Sequence, residues 1–184
     1  MSSLHVLLVA VAVLGHLSSG ADKEIDEYPR LNLVEERRVI DFFHLQVRRN
    51  AALGKKYKGA KLGMGGQLYA LKYDPKMELE AFSFAKYQQT PKEGRGIISF
   101  EGDYPGDLMM VLDTFLKNQT AVQQMIYPFA TRYGCWMRLL NKVKPYQAKF
   151  YCVYDRKPMA CEKDSDCIYQ PAECRKSLCY LKGK

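Results

Sequence analysis

Apolar residues along the chain follow two periods, and the change from one to the other divides it. From about residue 32 to 53 they return every fourth position, at Val39, Phe43, Val47 and Ala51, with Glu35, Glu36, Arg37, Arg48 and Arg49 off that stripe. This spacing predicts an amphipathic helix that stops before Gly54. His44 lies beside the stripe, next to Ile40 and Val47, and reads as a packed histidine rather than a catalytic one. Asp74-Pro75 is a helix start, Asp as N-cap and Pro in the first turn, followed by Met77, Ala81, Phe84 and Ala85 on one face. A third helix follows Pro105-Gly106-Asp107, with Leu108, Val111, Leu112 and Phe115 at helical spacing; a fourth, shorter one covers about 121 to 127. The period then drops to two. Tyr146, Ala148, Phe150, Cys152 and Tyr154 alternate with polar and aromatic positions, and with 133 to 140 and the turn at 141 to 145 they predict a hairpin. Residues 96 to 100 fit a strand or an extended loop.

The ends of the chain have a different character. Residues 1 to 20 carry no Lys, Arg, Asp or Glu and hold an apolar run from Leu4 to Leu14, then Ser18, Ser19, Gly20 and Ala21. That is the layout of a secretory signal cut near Gly20 or Ala21, and the run is shorter than the roughly 20 residues that cross a bilayer. The expectation is a secreted, extracellular protein. Its six cysteines, Cys135, Cys152, Cys161, Cys167, Cys174 and Cys179, all fall near the other end, and an even set in a secreted chain reads as disulfides. From about 158 onward the chain is short of aliphatic residues, so a tail of this kind depends on its bridges. Three segments result: a signal over 1–20, a globular domain over 21–157 and a cysteine-rich tail over 158–184.

Removal of the signal also removes His5 and His16, which leaves His44 as the one histidine. Zinc sites built on two or three imidazoles and HExxH proteases therefore fall away, and no nucleophile is placed beside His44. No catalytic residue, metal ligand or cofactor is assigned. The net charge of +8 points to anionic partners such as glycosaminoglycans or lipid headgroups, and the compartment excludes nucleic acid. Residues 54 to 66 mix glycines with Lys55, Lys56, Lys58 and Lys61 and read as a mobile, solvated basic loop; no phosphate-loop motif is present. Asn118-Gln119-Thr120 is the single Asn-x-Thr sequon, so Asn118 is a glycosylation candidate.

Several segments together carry a resemblance. Val-Arg-Arg-Asn-Ala-Ala-Leu-Gly (47 to 54) after the first helix, and Leu-Tyr-Ala-Leu-Lys-Tyr-Asp (68 to 74) opening a helix with Leu79-Glu80-Ala81, are two. Ala121-Val-Gln-Gln-Met-Ile-Tyr127, running on to Tyr133-Gly134-Cys135, fits without gaps a pattern His-x-Thr-Gln-Met-x-Trp continuing to Gly-Cys. Phe150-Tyr-Cys-Val-Tyr154 and the spacing of Cys161, Cys167 and Cys179 complete the set. The chain, over about 33 to 184, resembles the CAP superfamily (SCP/TAPS), in particular the secreted ASP-type proteins of parasitic nematodes. The resemblance implies an α+β fold, a three-layer α-β-α sandwich around a small antiparallel sheet with a disulfide-rich tail. It also implies a bridge from Cys135 to Cys152, leaving three pairings open for the other four cysteines.

The departures from the pattern bear on function. Many CAP proteins hold a divalent metal with two histidines and two glutamates in a central cleft. The histidine that opens the pattern is Ala121 here, the other has no counterpart, and Gly94-Arg95-Gly96-Ile97 aligns with Gly-Glu-Asn-Ile, placing Arg95 where a glutamate stands. A cation in place of an anionic ligand opposes metal binding. The expectation is a non-enzymatic host-interaction protein, most like the hookworm branch that includes a platelet inhibitor. Its implied partner is a host cell-surface receptor, a platelet integrin first and a leukocyte integrin second. Glu101, Gly102, Asp103 and Asp107, in a loop signalled by Gly102, Pro105 and Gly106, are the receptor-binding candidates, because an aspartate carboxylate is what integrins read through a cation. Carriage of sterol or fatty acid is the alternative, with Leu62, Met64, Leu68 and Met77 as candidate lining.

Overall fold

The computed structural model describes residues 34–63, 66–141, 143–158, 163–166, 172–175 and 178–181. The signal over 1–20, the acidic stretch after it, Met64, Cys161 and Cys167 lie outside the described residues.

Helix α1 spans Glu35–Ala52 and buries Ile40, Phe43, His44, Val47, Arg48 and Ala51. Arg48 is the correction: it belongs to the inner face, not to the polar one. Glu35 and Glu36 sit at the positive end of the helix and Arg49 at the negative end, which suits the macrodipole. Gly54, at φ +64°, closes the helix in the left-handed conformation, with Gly54 N–H donating to Ala51 O (2.9 Å) and Lys55 N–H to Asn50 O (2.8 Å). Strand β1 is only Lys72–Tyr73. Asp74 then caps α2 (Pro75–Tyr87) by accepting from Lys76 N–H, as the Asp-Pro pair predicts. Strand β2 runs Gly96–Asp103, and Asp107 caps α3 (Leu108–Phe115) by accepting from Met109 N–H. Asn118 caps α4 (Gln119–Met125), and the hairpin is β3 (Arg132–Leu139) with β4 (Gln147–Tyr154).

The sheet order is β1-β3-β4-β2. The three long strands pair antiparallel, as expected, and β1 adds a two-residue parallel edge beside β3. Alternation along β4 decides which helix meets which face. Ala148, Phe150, Cys152 and Tyr154 pack with α1, α3 and α4, whereas Tyr151 and Val153 pack with Met77, Ala81 and Phe82 of α2 and with Trp136. Three layers result, helices, sheet and helix. Helix α2 lies so close to β3 that a Cβ on Gly134 would come within 2.2 to 2.7 Å of the backbone of Asp74, Met77 and Glu78. Glycine is what lets the first turn of α2 touch the sheet.

Cys135 and Cys152 face each other across the hairpin and are bonded, as the resemblance implies. In the tail, Asp164–Asp166 form a single 3-10 turn, and β5 (Ala172–Arg175) pairs with β6 (Leu178–Leu181), with Cys174 opposite Cys179 in register. Cys174 is disulfide-bonded, and Asp164 accepts from its backbone N–H at 2.8 Å. No helix among the described residues is long and apolar enough to cross a membrane.

Candidate functional site

The place where a metal tetrad would sit lies between the start of β2 and α4. Ala121 is 4% exposed and belongs to the main core, so its methyl group contributes packing and no ligand. Gln124, three residues on, is also buried, and its side chain lies against Gly96: a Cβ there would fall 1.8 Å from Gln124 Oε1. The Gln124 amide N–H donates to Arg156 O at 2.8 Å, which fixes the side chain in place. Helix α4 thus rests directly on the strand where an open cleft would need room.

Arg95 is held just as firmly. Its Nε donates to Glu80 Oε2 (3.0 Å), its Nη2 to Glu80 Oε1 (3.2 Å) and its Nη1 to Asp155 O (3.2 Å). This two-point fork on a carboxylate is the strong form of the pairing. Lys92 Nζ lies 3.6 Å from the same carboxylate, so Glu80 meets two cations. Among the described residues no group of three or more His, Cys, Asp or Glu is arranged to hold a metal ion. A buried methyl, a guanidinium paired with Glu80 and a histidine with both ring nitrogens bonded, to Ile40 O and the Tyr154 hydroxyl, do not fit a divalent cation, and no chemistry is assigned through one.

His44 lies deeper, on the α1 face of the sheet. Its Nδ1 is 2.9 Å from Ile40 O, and because a carbonyl only accepts, Nδ1 carries the proton. Nε2 is therefore the acceptor for the Tyr154 hydroxyl at 2.7 Å. The ring stacks on Tyr133 with centroids 4.3 Å apart. Burial holds the imidazole well below its ordinary value, at about 4, with the nearby Arg48 charge acting in the same sense and the bond to Ile40 O opposing both. The Tyr154 hydroxyl is pushed far above its usual range, again chiefly by burial. A neutral imidazole with both nitrogens bonded inside the core, beside a phenol that stays protonated, has no means of activating a solvent-borne substrate.

Arg48 is the buried charge that sequence reasoning left on the wrong face. Its Nε donates to Tyr69 O (2.6 Å), and its Nη1 to Met125 O (2.8 Å) and Tyr127 O (3.0 Å); Nη2 reaches Ala130 O at 3.4 Å. One guanidinium therefore ties α1 to two separate connecting segments. The signal was present in the spacing: Arg48 lies four residues after His44 and three before Ala51, both inward positions.

The receptor-binding candidates lie elsewhere. Glu101, Gly102 and Asp103 end strand β2 and are paired with Lys149, Ala148 and Gln147 of β4, so the tripeptide is strand and not loop. Gly102, with Pro105 and Gly106, signals a loop, but the β4 ladder continues through it to Asp103. Glu101 accepts from the Tyr151 hydroxyl and lies 3.1 Å from Lys149 Nζ, and these bonds hold its carboxyl below the usual range, the Tyr151 bond first. Asp103 accepts from the Gln147 amide. Asp107 stands past the connecting loop as the cap of α3. All three carboxylates are exposed, and each is already bonded within the molecule.

Of the candidate lipid lining, Leu62 is 1% exposed in the main core with Leu68 packed against it, while Met77 is 1% exposed in the α2 cluster on the other face. They line no common cavity. Asn118 is exposed, and its Oδ1 accepts from Thr120 N–H (3.0 Å) and Ala121 N–H (3.2 Å).

Comparison with solved structures finds the Ancylostoma-secreted protein Ac-ASP-7 at 31% identity and TM-score 0.53, covering 79% of this chain and 88% of that one. The manganese-bound structure of Ac-ASP-7 aligns at the same identity and TM-score over 77% and 85%. Schistosoma mansoni venom allergen-like protein 4 aligns at 18% identity and TM-score 0.50 over 73% of this chain and 100% of that one, a likeness of fold alone. The hookworm platelet inhibitor aligns at 14% identity and TM-score 0.44 over 80% and 91%, too distant to bear on function. No family model and no curated protein matches the chain.

Proposed function

The chain belongs to the CAP superfamily, and from that premise we propose that it is a secreted, non-catalytic protein that acts on a host cell-surface receptor, as an antagonist of integrin-mediated platelet adhesion. The observation that supports the reading is at the tetrad position: Ala121 is packed into the core and Arg95 is paired with Glu80, so neither supplies a metal ligand. Function then rests on the outer surface of a rigid, disulfide-braced sandwich. Likeness to a nematode secreted protein supports the extracellular setting. Within this reading Asp103 and Asp107 are the carboxylates offered to a receptor-held cation, and each must give up one internal hydrogen bond to do so. A glycan on Asn118 would leave the α4 cap intact, because the sugar takes Nδ2 and the cap uses Oδ1.

The test is adhesion of washed platelets to fibrinogen and to collagen in the presence of refolded protein, with a reduced and alkylated control. Inhibition by the folded form alone, weakened by Asp103→Asn or Asp107→Asn, supports the reading. Inhibition of leukocyte adhesion instead moves the target to the leukocyte receptor, and no effect on either cell removes integrin antagonism.

A further inference from the structure

The basic stretch after α1 is not the loose loop that its glycines suggest. Tyr57 and Ala60 form an isolated antiparallel bridge, exchanging bonds of 3.1 and 2.9 Å, with Lys58 (φ +46°) and Gly59 (φ +82°) between them. Two consecutive left-handed residues make the tight turn that joins paired strands. Three anchors hold this turn to the body. Lys58 Nζ grips both oxygens of Asp113 on α3, at 2.8 and 2.7 Å. The Tyr57 ring meets Phe43 edge-on at 6.1 Å, and Leu62 is 1% exposed in the core. Gly66 N–H closes the segment onto Ala52 O at 3.1 Å.

What this platform presents is positive charge without acidic neighbours in sequence. Between Asp41 and Asp74 the chain holds no acidic residue. Arg49, Lys55, Lys56 and Lys61 are exposed, and Asp113, brought to the platform from α3, is engaged by Lys58. Elsewhere the pattern differs: Arg37 is paired with Glu78, Arg95 with Glu80, Arg132 with Asp74 and Asp155, and Lys149 with Glu101.

We infer that the segment from Arg49 to Lys61 is a binding site for sulfated polysaccharide. A polyanionic chain needs a fixed row of cations and little apolar contact. A lipid surface needs several apolar side chains to insert as well as charge, and of the two large apolar residues from Arg49 to Lys61, Tyr57 packs against the core and Leu53 alone is exposed. Rigidity matters because a backbone already held in place loses less conformational entropy on binding. The site would hold the protein on the glycan layer of a cell surface, and it stands independently of which receptor the protein meets there.

Heparin is the probe, in affinity chromatography and in titrations at several salt concentrations, with thermal melts confirming that each variant is folded. The triple variant K55A/K56A/K61A is compared with K76A/K144A/K157A, which removes the same charge from exposed lysines outside the platform. The inference expects the first variant to weaken heparin binding by about tenfold or more and to flatten the slope of log Kd against log salt by about two units. The second variant is expected to stay within about twofold of the unmodified protein. Equal losses in both variants would show that only overall charge is sensed and would overturn the site. Binding to phosphatidylserine vesicles in preference to heparin, or no heparin binding near 0.15 M salt, would overturn it too.

Discussion

The two faces of the sheet are built on different principles. The interior of the α2 face is apolar and aromatic: Met77, Ala81, Phe82, Trp136, Tyr151 and Val153 pack together, with Phe82 and Trp136 rings 5.8 Å apart, and the charged bonds of α2, Arg37 to Glu78 and Arg95 to Glu80, lie at its edge. The α1 face buries His44, Arg48 and Gln124 together with the hydroxyl of Tyr154, each bonded to a partner across the core. Packing is non-directional, whereas these bonds fix angles as well as distances. The α1 face therefore sets the course of the segments that ride over it, at 66–71 and 125–131, while the α2 face only has to be filled.

The sharpest way to break this contrast is a pair of substitutions. Arg48→Met keeps volume but strips four carbonyls of a charged donor, and should cost on the order of 3–5 kcal/mol in urea unfolding. Arg48→Lys should recover little of that, since one ammonium cannot reproduce the planar fork. Phe82→Ala on the other face should cost a similar amount, about 3–5 kcal/mol, yet Phe82→Leu should recover most of it. If lysine rescues Arg48 as well as leucine rescues Phe82, the two faces do not differ in kind.

Acid separates them next. The folded value of His44 is about 4 against an ordinary 6.5. Between those values the unfolded chain takes up a proton that the folded chain refuses, so stability is full above pH 6.5, falls as pH drops toward 4 and levels off below that. The shift corresponds to about 3 kcal/mol in all. In His44→Gln the decline over this window should flatten, measured as the difference between the two pH profiles of denaturant midpoint. Parallel profiles would mean that His44 is not the titrating group.

Smaller effects probe how close α2 sits. Gly134→Ala places a methyl against backbone that cannot step aside, and should cost about 2 kcal/mol while leaving the pH profile unchanged. At the bottom of the scale, Asp74→Ala and Asp107→Ala each remove an N-cap and should each cost about 1 kcal/mol. Only Asp107→Ala should also affect platelet adhesion.

Much of this arrangement was legible in the chain. Asp74-Pro75 and Pro105-Gly106-Asp107 announce their helices through local bonds, and the alternation along 146 to 154 separates the residues that face α1 from those that face α2. Long-range pairings were not legible. Nothing local says that Arg95 will find Glu80, that Arg48 will turn inward to collect carbonyls from two distant segments, or that Gly102 will stay within a strand because β4 runs beside it. The glycines and lysines of the basic stretch suggest mobility for the same reason: its anchors, Phe43, Asp113 and the core around Leu62, lie on other elements.

Ala121 in the core and Arg95 on Glu80 leave the tetrad position without its metal ligands. Titration of the refolded protein with Mn2+ and Zn2+, followed by calorimetry and by the thermal midpoint, tests it. The account predicts no saturable heat and no stabilisation by either ion. Stoichiometric binding that raises the midpoint and is lost in Glu80→Gln would show that Arg95 yields the carboxylate to a metal, and the closed cleft would be contradicted.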